Sequence, residues 1–142
     1  MMKIVIATRG YLAKELKKST EHILGKQKDL FAICAFTPQC ENYNKAVKDI
    51  IAKYDREDIL FCTDIDGGSA NNTLQELVVG NNRLHLVTGV NLPFLIRILT
   101  INDGNVTDNL NRSTKAAKNG IINYDALDNV ILTDELDGFD EF

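Results

Sequence analysis

What this chain does not have narrows its class before any motif is read. No apolar run approaches the roughly 20 residues needed to span a bilayer. The start of the chain lacks a signal-peptide layout, because Lys3 is followed by only four apolar residues before Thr8 and Arg9. These absences predict a cytoplasmic protein with no direct membrane insertion. A basic stripe is missing too. The net charge is −4, residues 134–142 alone carry five carboxylates and no cation, and residues 1–133 are therefore at +1. A nearly neutral body with an acidic tail predicts no nucleic-acid surface.

Cysteine is sparse. Cys34, Cys40 and Cys62 are odd in number, form no C-x-x-C and have no histidine near them in sequence. Reduced thiols are expected, not disulfides or a metal site. The common phosphate and cofactor signatures are absent as well. There is no Gly-x-x-x-x-Gly-Lys loop, and no Gly-x-Gly-x-x-Gly after the first strand. The acidic pair that a response-regulator receiver carries at the end of its first strand is replaced by Thr8-Arg9. A flavin would need aromatic walls, and only Tyr11 is close. No cofactor is called for.

What is present is an ordinary globular composition, 44% hydrophobic over 142 residues, enough for one domain with a proper core. We expect residues 1–133 to form that domain, with 134–142 as an acidic tail. Apolar runs and helical patterns alternate. Lys3 to Thr8 is a β-branched run buried on both faces, as in a covered parallel sheet. Tyr11 to Leu24 follows as a helix, with Gly25 as its left-handed C′ residue. Leu30 to Phe36 is a second strand, and Tyr43 to Tyr54 a second helix. Ile59 to Thr63 is a third strand, and a helix burying Leu74, Leu77 and Val78 ends at Gly80. Arg83 to Thr88 is a fourth strand. Pro93 opens an apolar helix through Leu99, with the proline at its first turn. Thr107 to Asn119 is a more polar helix stopped by Gly120, and Val130 to Leu132 a last strand.

Strict alternation predicts an α/β fold with right-handed crossovers, a doubly wound parallel sheet of flavodoxin-like order. In that order strands one and three are neighbours, and ligands bind at the carboxyl ends where the chain reverses. Two loops leave the sheet there, at Arg9 and at Asp64 to Ser69. Topology thus nominates Arg9 and Asp64 as neighbours. A guanidinium beside a carboxylate forms a charge-assisted pair or, released, holds a phosphate. Gly67-Gly68-Ser69 reads either as a phosphate cradle or as a tight turn, with Ser69 or Asn71 capping the next helix. Asp64 and Asp66 read as an acid–base pair or magnesium ligands only if they converge. His22, near a helix C-terminus, and His85, inside a strand, read as structural.

Three blocks carry a resemblance: Ile4 to Ala13 with Thr8-Arg9-Gly10, Thr63 to Ser69 with Asn72, and Thr88-Gly89-Val90-Asn91-Leu92-Pro93. In order and spacing they resemble the mannose/sorbose-family IIA component of the bacterial phosphoenolpyruvate-dependent sugar phosphotransferase system. Ala116 to Ile121 is also of the family type. The resemblance implies a four-stranded parallel sheet and a homodimer that exchanges a C-terminal strand, here residues 129–133. It implies phosphoryl transfer from the histidine phosphocarrier protein to a IIB component. Asp64 matches the aspartate that orients the family's catalytic histidine, and Gly67, Gly68, Ser69 and Asn72 match its anion-binding loop. The histidine's own position is Arg9. Arginine is a donor only, without the lone pair an imidazole uses to attack phosphorus. Asp66 and Ala70 also depart, standing where an apolar or aromatic residue and a proline are usual. The expectation is a IIA-type component whose relay does not run through residue 9, with Arg9 paired to Asp64. The alternative is a non-catalytic regulatory or scaffold homologue that binds a partner or anion at the same crevice.

Overall fold

A computed structural model of the chain describes residues 2–101 and 103–126. The elements run β1 (Lys3–Arg9), α1 (Leu12–Leu24), β2 (Leu30–Ala35), α2 (Tyr43–Lys53), β3 (Ile59–Thr63), α3 (Ser69–Val78), β4 (Leu84–Thr88), α4 (Leu92–Thr100) and α5 (Val106–Asn119), then a 3-10 turn at Tyr124–Ala126. Among the described residues these four strands pair in parallel, in the order β2-β1-β3-β4. This is the doubly wound, flavodoxin-like α/β arrangement expected from the alternation. The last strand and the acidic tail lie outside the described residues.

The strand sequences explain the burial. β1 and β3 each have a strand on both sides and helices on both faces, so Val5, Ile6 and Ala7 and every residue of β3 are fully buried. Period-two alternation then divides them between two cores. Val5, Ala7, Ile59 and Phe61 point to the face covered by α2 and α3, with Tyr43, Val47 and Leu74. Ile4, Ile6, Leu60 and Cys62 point to the face covered by α1 and α4, with Ala13, Phe94 and Leu95. Cys34 and Cys62 are buried as expected, and burial pushes the Cys62 thiol far above its ordinary range.

Two local expectations are corrected, and a third is met for a different reason. Gly25 has φ 84 but ψ 178, so the chain leaves α1 extended and not through a left-handed helical residue. Gly120 does stop α5, which ends at Asn119, but with φ −75 and ψ −11 it does so in an ordinary right-handed conformation. Glycine is required there for space, since a Cβ would come within 2.6 Å of Pro93 Cγ. The second correction concerns the start of α3: Gly68 is its N-cap, and no side chain caps it. Asn71, buried, turns inward to Thr63 instead.

Candidate functional site

The carboxyl ends of β1 and β3 lie side by side, and β2 flanks β1. Each strand hands over to a helix through a short loop, so three loops meet at one edge of the sheet. From β1, Thr8 is buried and its hydroxyl accepts the Ala13 N–H at 2.8 Å, anchoring the start of α1. Arg9 follows and is exposed, while Gly10 turns the chain at φ 79. From β3, the chain passes through Asp64, Ile65, Asp66 and Gly67 to Gly68. Gly67 lies at φ 79, where an L side chain is strained.

The loop is held from inside. Thr63 Oγ donates to Asn71 Oδ1 at 2.6 Å, and Asn71 Nδ2 donates to Asp66 Oδ1 at 3.3 Å. Asp64 Oδ1 accepts the Ile65 N–H at 3.0 Å. Asn72 Nδ2 reaches back to the Gly67 carbonyl at 3.4 Å. The two carboxylates thus have separate donors. Among the described residues no group of three or more His, Cys, Asp or Glu side chains is placed to hold a metal ion, so the magnesium reading of Asp64 and Asp66 finds no further ligands there. Ser69, exposed, is the first residue of α3, and with no side-chain cap the amides of that first turn lack a side-chain acceptor. Such a turn suits an anion, though the neighbouring Asp64 and Asp66 oppose one.

Arg9 and Asp64 are brought to the same edge, as topology predicted, but they form no ion pair within 4.0 Å among the described residues. Arg9 lies instead over the ring of Phe36, its guanidinium carbon 5.2 Å from the centroid. Phe36, just after β2, has φ 61 and packs on Tyr43 at 5.8 Å. Tyr43 is buried, its hydroxyl is pushed well above the usual range by desolvation, and it donates to the Ala70 carbonyl at 2.9 Å. These two aromatics were not nominated from the sequence, where Phe36 reads as the end of a strand and Tyr43 as one helix contact. An aromatic followed by Thr-Pro at the carboxyl end of the strand beside β1 was the available signal. His85 pairs with Asp58 at 3.0 Å, before the amino end of β3, and His22 is exposed at the end of α1. Neither reaches the site.

The third block is scaffold. Asn91 Oδ1 caps α4 at the Phe94 N–H (3.0 Å), while Asn91 Nδ2 donates to the Ala117 carbonyl of α5 at 3.1 Å. No helix among the described residues is long and apolar enough to cross a membrane.

This arrangement has known counterparts. A crystal structure from Klebsiella pneumoniae, described as a phosphoenolpyruvate-dependent sugar phosphotransferase system permease, superimposes with a TM-score of 0.81 at 28% identity, over 88% of this chain and 92% of that one. The mannose/sorbose-specific IIA subunit from Enterococcus faecalis shares the fold with a TM-score of 0.78 at 20% identity. By sequence, the chain is 29% identical over 121 residues to the fructose-specific EIIA component of Bacillus subtilis, covering 82% of this chain and 81% of that protein. It is 34% identical over 103 residues to the mannose-specific EIIAB component of Escherichia coli, covering 70% of this chain but only 32% of that protein. The family description "PTS system fructose IIA component" matches residues 3–117, a span from the first residue of β1 to the last turn of α5 that takes in both loops of the crevice and the Asn91 block. Fold, loops and matched span agree: the chain belongs to the EIIA-man family, the IIA components of the sugar phosphotransferase system.

Proposed function

We propose that this chain is a IIA component that docks the family's partners without itself carrying the phosphoryl group. The observation that carries this reading is Arg9. It stands exposed at the end of β1, its guanidinium carbon 5.2 Å from the centre of the Phe36 ring, and without an ion pair to Asp64 among the described residues. A guanidinium over an aromatic ring keeps N–H donors that an anion can accept from, and it offers no lone pair to attack phosphorus. Arg9 is therefore the binding group for the phosphoryl group that a partner presents. In this reading Gly67, Gly68, Ser69 and Asn72, in the loop and first turn that follow the neighbouring strand β3, complete the anion site, with Asp64 at the end of the same strand.

The partners in this reading are the histidine phosphocarrier protein and a IIB component, and the role is regulatory or scaffolding within sugar uptake. The sugar class follows the relatives, fructose or mannose. A homodimer with exchanged residues 129–133 belongs to the same proposal, and light scattering after size exclusion reads the dimer directly. The deciding experiment incubates the chain with phosphoenolpyruvate, enzyme I and the phosphocarrier protein. Intact mass is expected to show no phosphoryl group on the chain. Capture of the phosphocarrier is expected to be stronger when that protein is kept phosphorylated, and lost in Arg9→Ala. A phosphohistidine on this chain overturns the proposal, as does parental capture by Arg9→Ala.

A further inference from the structure

Phe36 departs from two ordinary patterns at once. Its backbone lies at φ 61, a region that bulky L side chains rarely enter. The residue is 47% exposed, so burial does not account for it. Glycine, asparagine or aspartate would turn the chain there with less strain. The surrounding backbone fixes the conformation firmly. Gly10 N–H donates to the Ala35 carbonyl at 3.0 Å, Thr37 Oγ donates to the Cys34 carbonyl at 2.7 Å, and Cys40 N–H donates to the Thr37 carbonyl at 2.9 Å. Strain held so tightly, on a residue whose ring is not buried, points to a use for the ring at the surface.

That use is visible in its two neighbours. The Arg9 guanidinium carbon lies 5.2 Å from the ring centroid. The ring also packs, tilted, on Tyr43, whose hydroxyl donates to the Ala70 carbonyl in the first turn of α3. A continuous contact thus runs from Arg9, at the end of β1, to the helix that follows the Gly67–Ser69 loop. An arginine free of such a contact has several rotatable bonds and a nearby carboxylate, Asp64. The pair expected from the sequence is the competing state.

We propose that Phe36 is a positioning residue for anion recognition. Its ring holds the Arg9 guanidinium by one face, leaves the in-plane N–H groups facing outward, and keeps Arg9 from collapsing onto Asp64. This rests on the reading of Arg9 as the group that meets a partner's phosphoryl group. Phe36→Leu keeps an apolar side chain and the strained backbone but removes the π face. Phe36→Gly relieves the strain and removes the ring, and Phe36→Trp keeps both ring and strain.

The test measures binding of the histidine phosphocarrier protein, kept phosphorylated by phosphoenolpyruvate and enzyme I, to the full chain and its variants. Phe36→Leu and Phe36→Gly are expected to weaken binding about 2–5-fold, the scale of an exposed cation–π contact, while Phe36→Trp stays at the parental value. Adding Asp64→Asn to Phe36→Leu is expected to recover part of the loss, because the competing carboxylate charge is gone. An independent readout is the Arg9 Nε–H resonance, displaced by the ring current in the parental chain and in Phe36→Trp and restored to the ordinary arginine position in Phe36→Leu. If Phe36→Leu and Phe36→Gly bind as the parent does while Arg9→Ala does not, the positioning role is overturned and the function of Arg9 stands. If Arg9→Ala itself binds as the parent does, both fall.

Discussion

Asn71 holds the loop between β3 and α3 from below, and removing its amide tests that role directly. The side chain is 1% exposed, and its two hydrogen bonds, to Thr63 at 2.6 Å and Asp66 at 3.3 Å, join the end of the strand to the loop. In Asn71→Ala the Thr63 hydroxyl, itself fully buried, loses its acceptor. An unpaired buried hydroxyl costs about 1–3 kcal/mol. Taking about 2 kcal/mol, and about 3–4 °C per kcal/mol for a chain of this size, the melting temperature should fall by roughly 6–8 °C. Asn71→Asp keeps the acceptor that Thr63 needs but turns the donor facing Asp66 into a second carboxylate. A buried carboxyl beside a like charge has its pKa raised above the unfolded value near 4. Its penalty is present above that value and relieved as the pH falls and the group protonates. Thermal unfolding followed by circular dichroism at neutral pH and near pH 4 separates the cases. Asn71→Ala should show a deficit insensitive to pH, and Asn71→Asp one that shrinks in acid. Exchange of the Gly67 to Ser69 amides should quicken in both. A melting temperature within about 1 °C of the parent for Asn71→Ala, or a deficit independent of pH for Asn71→Asp, would refute the assignment of Asn71 as the loop's internal support.

Other outcomes follow from the same geometry. Arg9→His restores a nucleophilic ring nitrogen between Thr8 and Gly10, and the variant should gain an acid-labile phosphoryl group from the phosphocarrier protein where the parent gains none. No gain would show that the loop at Asp64 to Ser69 has lost the geometry transfer requires. The Glu21 carboxylate accepts the Gln27 N–H at 2.9 Å and Lys17 Nζ at 3.1 Å, which holds its pKa below the ordinary 4.5. Stability from this group is present above about pH 4.5 and lost as pH falls through the lower folded value, so Glu21→Gln should flatten the acid limb of a pH–stability profile; an unchanged slope counts against it. Gly120→Ala places a Cβ 2.6 Å from Pro93 Cγ, and overpacking of this kind costs about 1–3 kcal/mol. Urea unfolding should show that loss, with recovery when Pro93→Ala is added; an unaltered midpoint would mean the α4–α5 contact gives way freely.

Much of the fold was legible because each element announces itself locally. Ile4 to Ala7 and Ile59 to Cys62 are apolar without alternation, and such strands need cover on both faces. Strict alternation with helices then left few topologies, and the doubly wound order was the default among them. Element ends were read less well where the reason was not local. Gly120 was rightly read as a helix stop, but the reason a glycine is needed there is Pro93, far away in sequence and close in space. Asn71 looked like a cap by its position after two glycines, but it is drawn inward because Thr63 below it needs an acceptor.

The candidate site divides the same way. The residue types at positions 9 and 64 to 72, and their place at the carboxyl ends of neighbouring strands, came from sequence and topology. So did the conclusion that residue 9 cannot act as a histidine does, because an arginine has no lone pair in any fold. The partner of Arg9 was decided by tertiary structure alone. Opposite charge at the same edge predicted Asp64. The strained turn after β2 instead sets the Phe36 ring beneath the guanidinium, and the Ile65 amide meets the carboxylate of Asp64. Covalent chemistry is written into residue type, whereas which of two nearby groups an arginine meets depends on how strand ends separated in sequence are aimed in space.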